Sequence, residues 1–256
     1  MNKYTIIYLT IAYFLFIIQA HFFADRVIYA PAISSYQDTA LIIKLKTKDD
    51  TTISALYLAN KNAKYTILFS HGNGEDLNYS IPFLQVWHDH GFSVFAYDYH
   101  GYGTSSGKPT EEHVYADVEA AYNYLVQNLH VPPEKIIAYG HSIGAAVNIE
   151  LATHRPLAGL IVQSAFVDAF RVLTKIPLIP FPKYNNIKKI KQITCPILFI
   201  HGTHDEIVDF WHAEKLYKTY EGKKSFLWVE GAGHNDVMAI AKKSYWYAVE
   251  KFILDL

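Results

Sequence analysis

Tyr139-Gly140-His141-Ser142-Ile143-Gly144-Ala145-Ala146 stands between an apolar run, Lys135 to Gly140, and a stretch, Ile143 to Thr153, whose apolar residues recur at helical spacing. Its core, Gly140 to Gly144, reads G-x-S-x-G. Between a strand and a helix, such a serine occupies a tight, strained turn, and glycines two positions to either side are required because side chains there would collide across it. That geometry lifts the Ser142 hydroxyl to the carboxyl edge of a sheet. A glycine-rich helix start capped by a serine would give the same pentapeptide. The strand before it and the helix after it favour a nucleophile.

Working outward, short apolar runs alternate with amphipathic stretches after residue 30. This is the pattern of the α/β class, with a mostly parallel central sheet covered by helices on both faces. Strands are predicted at Ala40 to Lys46, Thr52 to Leu58, Tyr65 to Ser70, Ser93 to Asp98, Lys135 to Gly140, Gly159 to Gln163, Pro196 to His201 and Ser225 to Val229. Helices are predicted over Glu111 to Asn128, Ile143 to Thr153 and Ala241 to Phe252; the first carries Val114, Val118, Ala121, Tyr122 and Leu125 on one face. Residues 166–191 break the alternation with Pro177, Pro180, Pro182 and Lys188-Lys189-Ile190-Lys191. They read as a short cap over one end of the sheet, its lysines a solvated helix face rather than an anion site.

Composition agrees with one such domain. The 256 residues are 51% apolar, and 23 Lys and Arg against 24 Asp and Glu leave a net charge of −1. These values exclude a disulfide scaffold, a disordered tail and a highly basic nucleic-acid binder. The lone Cys195, within the apolar run Ile193 to Ile200, reads as a small core hydrophobe rather than a nucleophile.

A serine hydroxyl near its free pKa is a weak nucleophile. It needs an imidazole to take its proton and a carboxylate to hold that imidazole in one tautomer. Asp205, in His201-Gly202-Thr203-His204-Asp205, and His234, in Gly231-Ala232-Gly233-His234-Asn235-Asp236, each follow a predicted strand by a glycine-containing turn. Backbone donors for an oxyanion are expected at Ile143, after the serine, and at Asn73, in His71-Gly72-Asn73-Gly74 beyond another strand. Asp209 is the nearest rival to Asp205, and Asp236 is expected to cap the helix after His234. His71 and His201 are read as loop-orienting groups and His141 as a pocket residue. His201, His204 and Asp205 could be drawn as metal ligands, but no accompanying zinc motif supports that, and no metal or cofactor is expected. Gly101 to Lys108 imitates a phosphate loop, yet its third glycine is one position late and Pro109 follows the lysine.

In this order the motifs resemble the α/β-hydrolase superfamily from about Tyr29 to Phe252. They are most similar to a branch of membrane-associated serine hydrolases that includes protein depalmitoylases and bacterial relatives. The segments carrying the resemblance are His71 to Leu77, Tyr97 to Gly107, the Ser142 turn and Gly231 to Asp236. It implies the α/β-hydrolase fold and a triad of Ser142, Asp205 and His234. Expected substrates are carboxylic esters or thioesters with hydrophobic acyl groups, Phe166, Phe170, Ile176, Leu178, Ile179 and Phe181 of the cap supplying the acyl pocket. The alternatives are a serine peptidase, a small-ester hydrolase, or a hydrolase-fold protein that binds an apolar ligand without turnover.

Where depalmitoylases carry a cysteine-rich acylated segment, this chain carries an apolar one. No Asp, Glu, Lys or Arg occurs from Tyr4 to Ala24, and about 20 helical residues cross about 30 Å of hydrocarbon. Residues 1–28 therefore read as a membrane anchor or signal segment, and residues 29–256 as the catalytic domain. A cut after Ala20 would make the segment a cleaved secretory signal, but Ile18 fits that pattern poorly, which favours a retained anchor. Lys3 before the segment and Arg26 after it leave only a slight lean toward a domain outside the cytoplasm.

Overall fold

In a computed structural model, which describes residues 2–174 and 176–256, the short apolar runs become eight strands. They are β1 Ile43–Lys46, β2 Thr52–Leu58, β3 Thr66–Ser70, β4 Ser93–Tyr97, β5 Ile136–His141, β6 Gly159–Gln163, β7 Ile197–Gly202 and β8 Lys224–Val229. They form one sheet in the order β1-β2-β4-β3-β5-β6-β7-β8. The pairs β1 with β2 and β2 with β4 are antiparallel and the others parallel. Each expected strand is present with ends shifted by at most a few residues.

Helices α1 Lys3–Ile28, α2 Leu77–Asp89, α3 Glu111–Asn123, α4 Ile143–Ala152, α5 Ala169–Leu173, α6 Asn186–Lys189, α7 Trp211–Thr219, α8 Val237–Ala241 and α9 Lys243–Leu254 accompany the sheet. Strand residues alternate between two cores. Leu68, Phe95, Ala138, Val162 and Phe199 face α3, α4 and α7, whereas Ile67, Phe69, Tyr139, Ile161 and Ile200 face α2, α8 and α9. Burying each large apolar side chain stabilises the fold by about 1.5–3 kcal/mol before entropy is counted. α4 is apolar on nearly every side because it lies between the sheet and neighbouring helices.

Several expectations are corrected. The run Ala241 to Phe252 is two helices, broken at Lys242 with φ +50°, and the end of Glu111 to Asn128 winds into a π turn over Tyr124–Asn128. α2 and α7 lie in stretches predicted as neither strand nor helix. α2 contains Pro82, which obscures its periodicity, yet Asp76 caps it by accepting from the Tyr79 N–H at 3.0 Å. Asp236 precedes α8 but its carboxylate accepts from Gly233 N at 2.7 Å instead of capping. Lys189 is no solvated lysine: it pairs with Glu150 at 2.7 Å and lies 4.3 Å from the Tyr115 ring centre. Cys195 is half-buried just before β7, and burial pushes its thiol up to about 12.

The turn from β5 into α4 depends on close backbone contact. A Cβ on Gly140 would lie 2.3 Å from the Gly144 carbonyl carbon, and one on Gly144 would lie 2.0 Å from the Ser70 carbonyl oxygen of β3. Gly144→Ala is therefore expected to cost about 1–3 kcal/mol of stability or more. It should appear as a lower urea midpoint at unchanged slope; an unchanged midpoint would show that this approach is not a constraint.

Candidate active site

Ser142 follows β5, Asp205 follows β7, His234 follows β8 and Asn73 follows β3, so the fold gathers all four at the carboxyl edge of the parallel strands. Ser142 sits at φ +56°, ψ −115°, backbone that non-glycine residues adopt only when their surroundings enforce it, at a cost of about 1–3 kcal/mol. Here the enforcement comes from the two glycine contacts and from the Ser142 N–H, which donates to the Gln163 carbonyl of β6 at 2.9 Å.

His234 Nδ1 lies 2.8 and 3.0 Å from the two Asp205 carboxylate oxygens. An ionised carboxylate only accepts, so Nδ1 carries the hydrogen and Nε2 is left as the acceptor in the neutral ring. The Ile207 and Val208 N–H groups also donate to Asp205, at 3.0 and 2.7 Å. Burial raises the Asp205 pKa, but the hydrogen bond and charge of His234 and the Val208 N–H outweigh it, leaving the carboxyl below its ordinary range. His201, buried beneath it, donates from Nε2 to the Val208 carbonyl at 2.8 Å and is driven down by burial, so it orients the Asp205 loop as a neutral ring. The structure places Asp205 against His234; Asp209 lies next to α7, where its carbonyl accepts from the His212 N–H at 3.0 Å.

Ser142 and His234 line one cavity of about 330 Å³ together with Asn73 and Ile143. Ile143 opens α4, whose first-turn N–H groups have no partner within the helix. Asn73 is held by its side chain: Nδ2 donates to the Ile28 carbonyl at 2.7 Å, and Oδ1 accepts from Ala30 N at 3.0 Å and the Tyr102 hydroxyl at 2.6 Å. The remaining wall is largely apolar, with Val27, Ile28, Phe166, Val172, Leu173 and Ile207. Of the six cap residues expected there, Phe166 lines the cavity; Phe170, Ile176, Leu178, Ile179 and Phe181 do not. The end of α1, which sequence reasoning assigned only to the membrane, supplies two wall residues in their stead.

Sequence reasoning also missed a charged pair. His141, in the variable position before Ser142, has Nδ1 3.5 Å from Glu75 Oε1, and Nε2 3.2 Å from the His234 carbonyl, to which it donates. Burial lowers the His141 pKa, but Glu75 more than reverses this and holds it above the ordinary histidine value. Glu75, raised by burial, is brought below its ordinary value by His141, His71 and the Gly72 N–H. The signal was a carboxylate within a glycine-rich turn, but its partner lies far along the chain. Among the described residues no group of three His, Cys, Asp or Glu side chains is placed to hold a metal ion.

The sequence family described as serine aminopeptidase, S33, matches residues 61–181. Alpha/beta hydrolase domain-containing protein 17B of Homo sapiens is 41% identical over 209 residues, spanning 80% of this chain and 72% of that protein. Alpha/beta hydrolase domain-containing protein 17C of Xenopus tropicalis is 37% identical over 220 residues, spanning 84% of this chain and 70% of that protein. Among solved structures, an esterase of Pyrococcus furiosus superposes with a TM-score of 0.72 at 18% identity, covering 89% of this chain and 96% of the esterase, a likeness of fold. From the identity and coverage of these relatives, and from the sheet order and strand-to-helix turn, the chain belongs to the α/β-hydrolase superfamily, in the group of the alpha/beta hydrolase domain-containing 17 proteins.

Proposed function

We propose that the protein is a membrane-anchored serine hydrolase that cleaves carboxylic ester or thioester bonds of substrates with hydrophobic acyl groups. The observation that carries this reading is the Asp205 carboxylate on Nδ1 of His234, with His234 and Ser142 lining the same largely apolar cavity. In the proposed reaction, Nε2 of His234 takes the proton as Ser142 Oγ attacks the carbonyl. The Ile143 and Asn73 N–H groups stabilise the oxyanion, and His234 returns the proton to the departing alcohol or thiol. Water then repeats the sequence on the acyl-enzyme. Asp205 keeps Nδ1 protonated and stabilises the imidazolium that forms. Residues 1–28 act as the anchor and residues 29–256 as the catalytic domain; α1 is 26 residues long and its most apolar stretch is not buried against the protein.

A peptidase reading has one observation in its favour: Glu75 places a carboxylate in the cavity wall, where an aminopeptidase would need one for a free α-amino group. His141 and the Gly72 N–H already occupy that carboxylate, which favours the acyl-ester reading. Assaying acyl-chain and aminoacyl ester series side by side separates the two.

Stoichiometric labelling of the wild type by a fluorophosphonate, and none of Ser142→Ala, is the expected intact-mass result; turnover of Ser142→Ala should fall by about a thousandfold or more. A folded wild type that takes no label would favour the non-catalytic binding reading. Asp205→Asn should lower kcat by about 10³–10⁴-fold, since the amide favours the wrong tautomer of His234. Asp209→Asn should stay within a few-fold, and the reverse order would overturn the assignment.

The Glu75 and His141 pair predicts a pH dependence of stability. Glu75, held below its ordinary 4.5, contributes stability above that value and loses it as pH falls through the depressed pKa. His141, held above its ordinary 6.5, contributes fully below 6.5 and loses its contribution as pH rises through the raised pKa. Glu75→Gln should therefore lower Tm most between pH 4.5 and 6.5, with the difference shrinking in alkaline buffer. A difference independent of pH would show that the two groups are not paired as ions.

A further inference from the structure

The segments that carry Asn73, Ser142 and His234 meet at one side-chain pair. Glu75, in the loop after β3, accepts from the Gly72 N–H at 3.3 Å and faces His141 Nδ1 at 3.5 Å. His141, the last residue of β5, donates from Nε2 to the His234 carbonyl at 3.2 Å. A Cβ on Gly72 would lie 2.9 Å from both Glu75 Oε1 and His141 Nδ1, so the pair is packed directly on the backbone of the Asn73 loop.

Other hydrogen bonds tie the turn that carries His234 to the loop after β7 or to itself. The His204 N–H donates to the Ala232 carbonyl at 2.9 Å, the Gly231 N–H to Thr203 Oγ1 at 3.0 Å and the Gly233 N–H to Asp236 at 2.7 Å. Asp205 fixes the rotation of the His234 ring, but the distance of that ring from Ser142 depends on what joins the two turns. The His141 hydrogen bond makes that join.

The join depends on the proton count of His141. With both nitrogens protonated, Nδ1 donates to Glu75 and Nε2 to the His234 carbonyl. When one proton leaves, the other stays on Nδ1, because an ionised carboxylate beside it only accepts. Nε2 then turns a lone pair toward the His234 carbonyl, acceptor against acceptor, and the two turns are no longer tied.

Glu75 holds the His141 pKa above 6.5 despite burial, so this loss comes on the alkaline side. The other titratable groups facing the pair are His71 from the loop after β3, Asp205 and His201 from β7 and its loop, and His234, whose ring centre is 5.0 Å from that of His141. Asp205 reinforces the retention of the His141 proton, and His201 is kept neutral by burial. Both members of the pair also line a second cavity of about 160 Å³ between α2 and α8. Exposed Tyr79 and Asn235 stand at its rim, which gives the His141 proton a route to solvent.

Resting on the hydrolase reading above, we propose that Glu75 and His141 are positioning residues for that reaction: they brace the His234 turn against the Asn73 loop and the Ser142 turn, and the brace releases when His141 loses a proton. Neither takes part in the proton transfer with Ser142. The brace acts through the His234 main chain, so its release lowers kcat by displacing the base and leaves the apolar acyl wall, and with it KM, nearly as before.

The test follows kcat and KM of the full chain on one soluble ester from acid into alkaline buffer. Wild-type kcat should fall by about tenfold or more above the titration of His141 with KM within about twofold, since a base misplaced by about 1 Å costs up to about a hundredfold. In Glu75→Gln the amide donates to Nδ1, which leaves the neutral ring its hydrogen on Nε2 and the join intact. In His141→Gln an amide N–H replaces Nε2–H and carries no titrating proton. Both variants should therefore lose the alkaline fall, and His141→Gln should recover most of the kcat that His141→Leu loses at every pH. An alkaline fall unchanged in either glutamine variant would overturn the proposal, as would a wild-type level of kcat in His141→Leu or a loss confined to KM.

Nitrogen resonances of isotope-labelled histidine rings read the same state without turnover, His141 being assigned by its absence in His141→Gln. In alkaline buffer the wild-type ring should be the Nδ1–H tautomer and that of Glu75→Gln the Nε2–H tautomer; one tautomer in both would overturn the brace. Fluorophosphonate labelling of Ser142 reads the catalytic assignment alone. Labelling with one common tautomer keeps the hydrolase and removes the brace, whereas two tautomers without labelling overturn the hydrolase reading instead.

Discussion

The close approach of the β5-to-α4 turn to the end of β3 is the constraint on which the rest of the site depends. With no Cβ on Gly144, the backbone of α4 rests near the Ser70 carbonyl, and with none on Gly140 the turn closes on itself. This closure holds Ser142 at positive φ and sets the start of α4 beside the loop that follows β3. Ile143 and Asn73, from remote segments, thereby come to line one cavity. Close-packed interiors transmit such a constraint because they have few voids in which to absorb a displaced backbone.

Beneath the cavity, each of two buried carboxylates meets an imidazole. Asp205 faces His234, and Glu75 faces His141, whose other nitrogen reaches the His234 backbone. Removing an ion from water is costly unless its hydrogen bonds are replaced. Asp205 meets this with two backbone N–H groups besides the imidazole, and Glu75 with the Gly72 N–H. The two pairs touch through the His141 and His234 rings, whose centres are 5.0 Å apart. The second pair therefore sets the field and the packing against which the first is held.

Much of this was legible in the chain because the relevant signals are local. Short apolar runs located the strands of the sheet, and strand-end turns with glycines named Ser142, Asn73 and His234, all of which line the cavity, and Asp205, which contacts His234. The helix α2 was hidden by Pro82, and α7 by its short, largely polar sequence. The partnership of Glu75 with His141 and the burial of Lys189 against Glu150 were not legible, since neither follows any repeat and each joins separate elements. The cap misled for a related reason. Its apolar composition marked residues that need a non-aqueous surrounding, but composition does not say whether that surrounding is the cavity or something outside the fold.

The end of α1 ties these strands of argument together. Asn73 has one side-chain orientation that satisfies all its partners: its amide N–H meets the Ile28 carbonyl while its oxygen accepts from Ala30 N and the Tyr102 hydroxyl. The opposite amide orientation would set two donors against each other and two acceptors against each other. The loop that carries Asn73 in the cavity wall is thus clasped to the last turn of the apolar helix. Tyr29, just beyond that helix, is hydrogen-bonded to Tyr184 at the base of the cap. A helix that served only as a tether would need a flexible linker and no contacts of this kind. Here the residues leaving the apolar segment form part of the cavity wall and hold the loop that follows β3. The geometry of the site and the position of the helix are therefore set by the same hydrogen bonds.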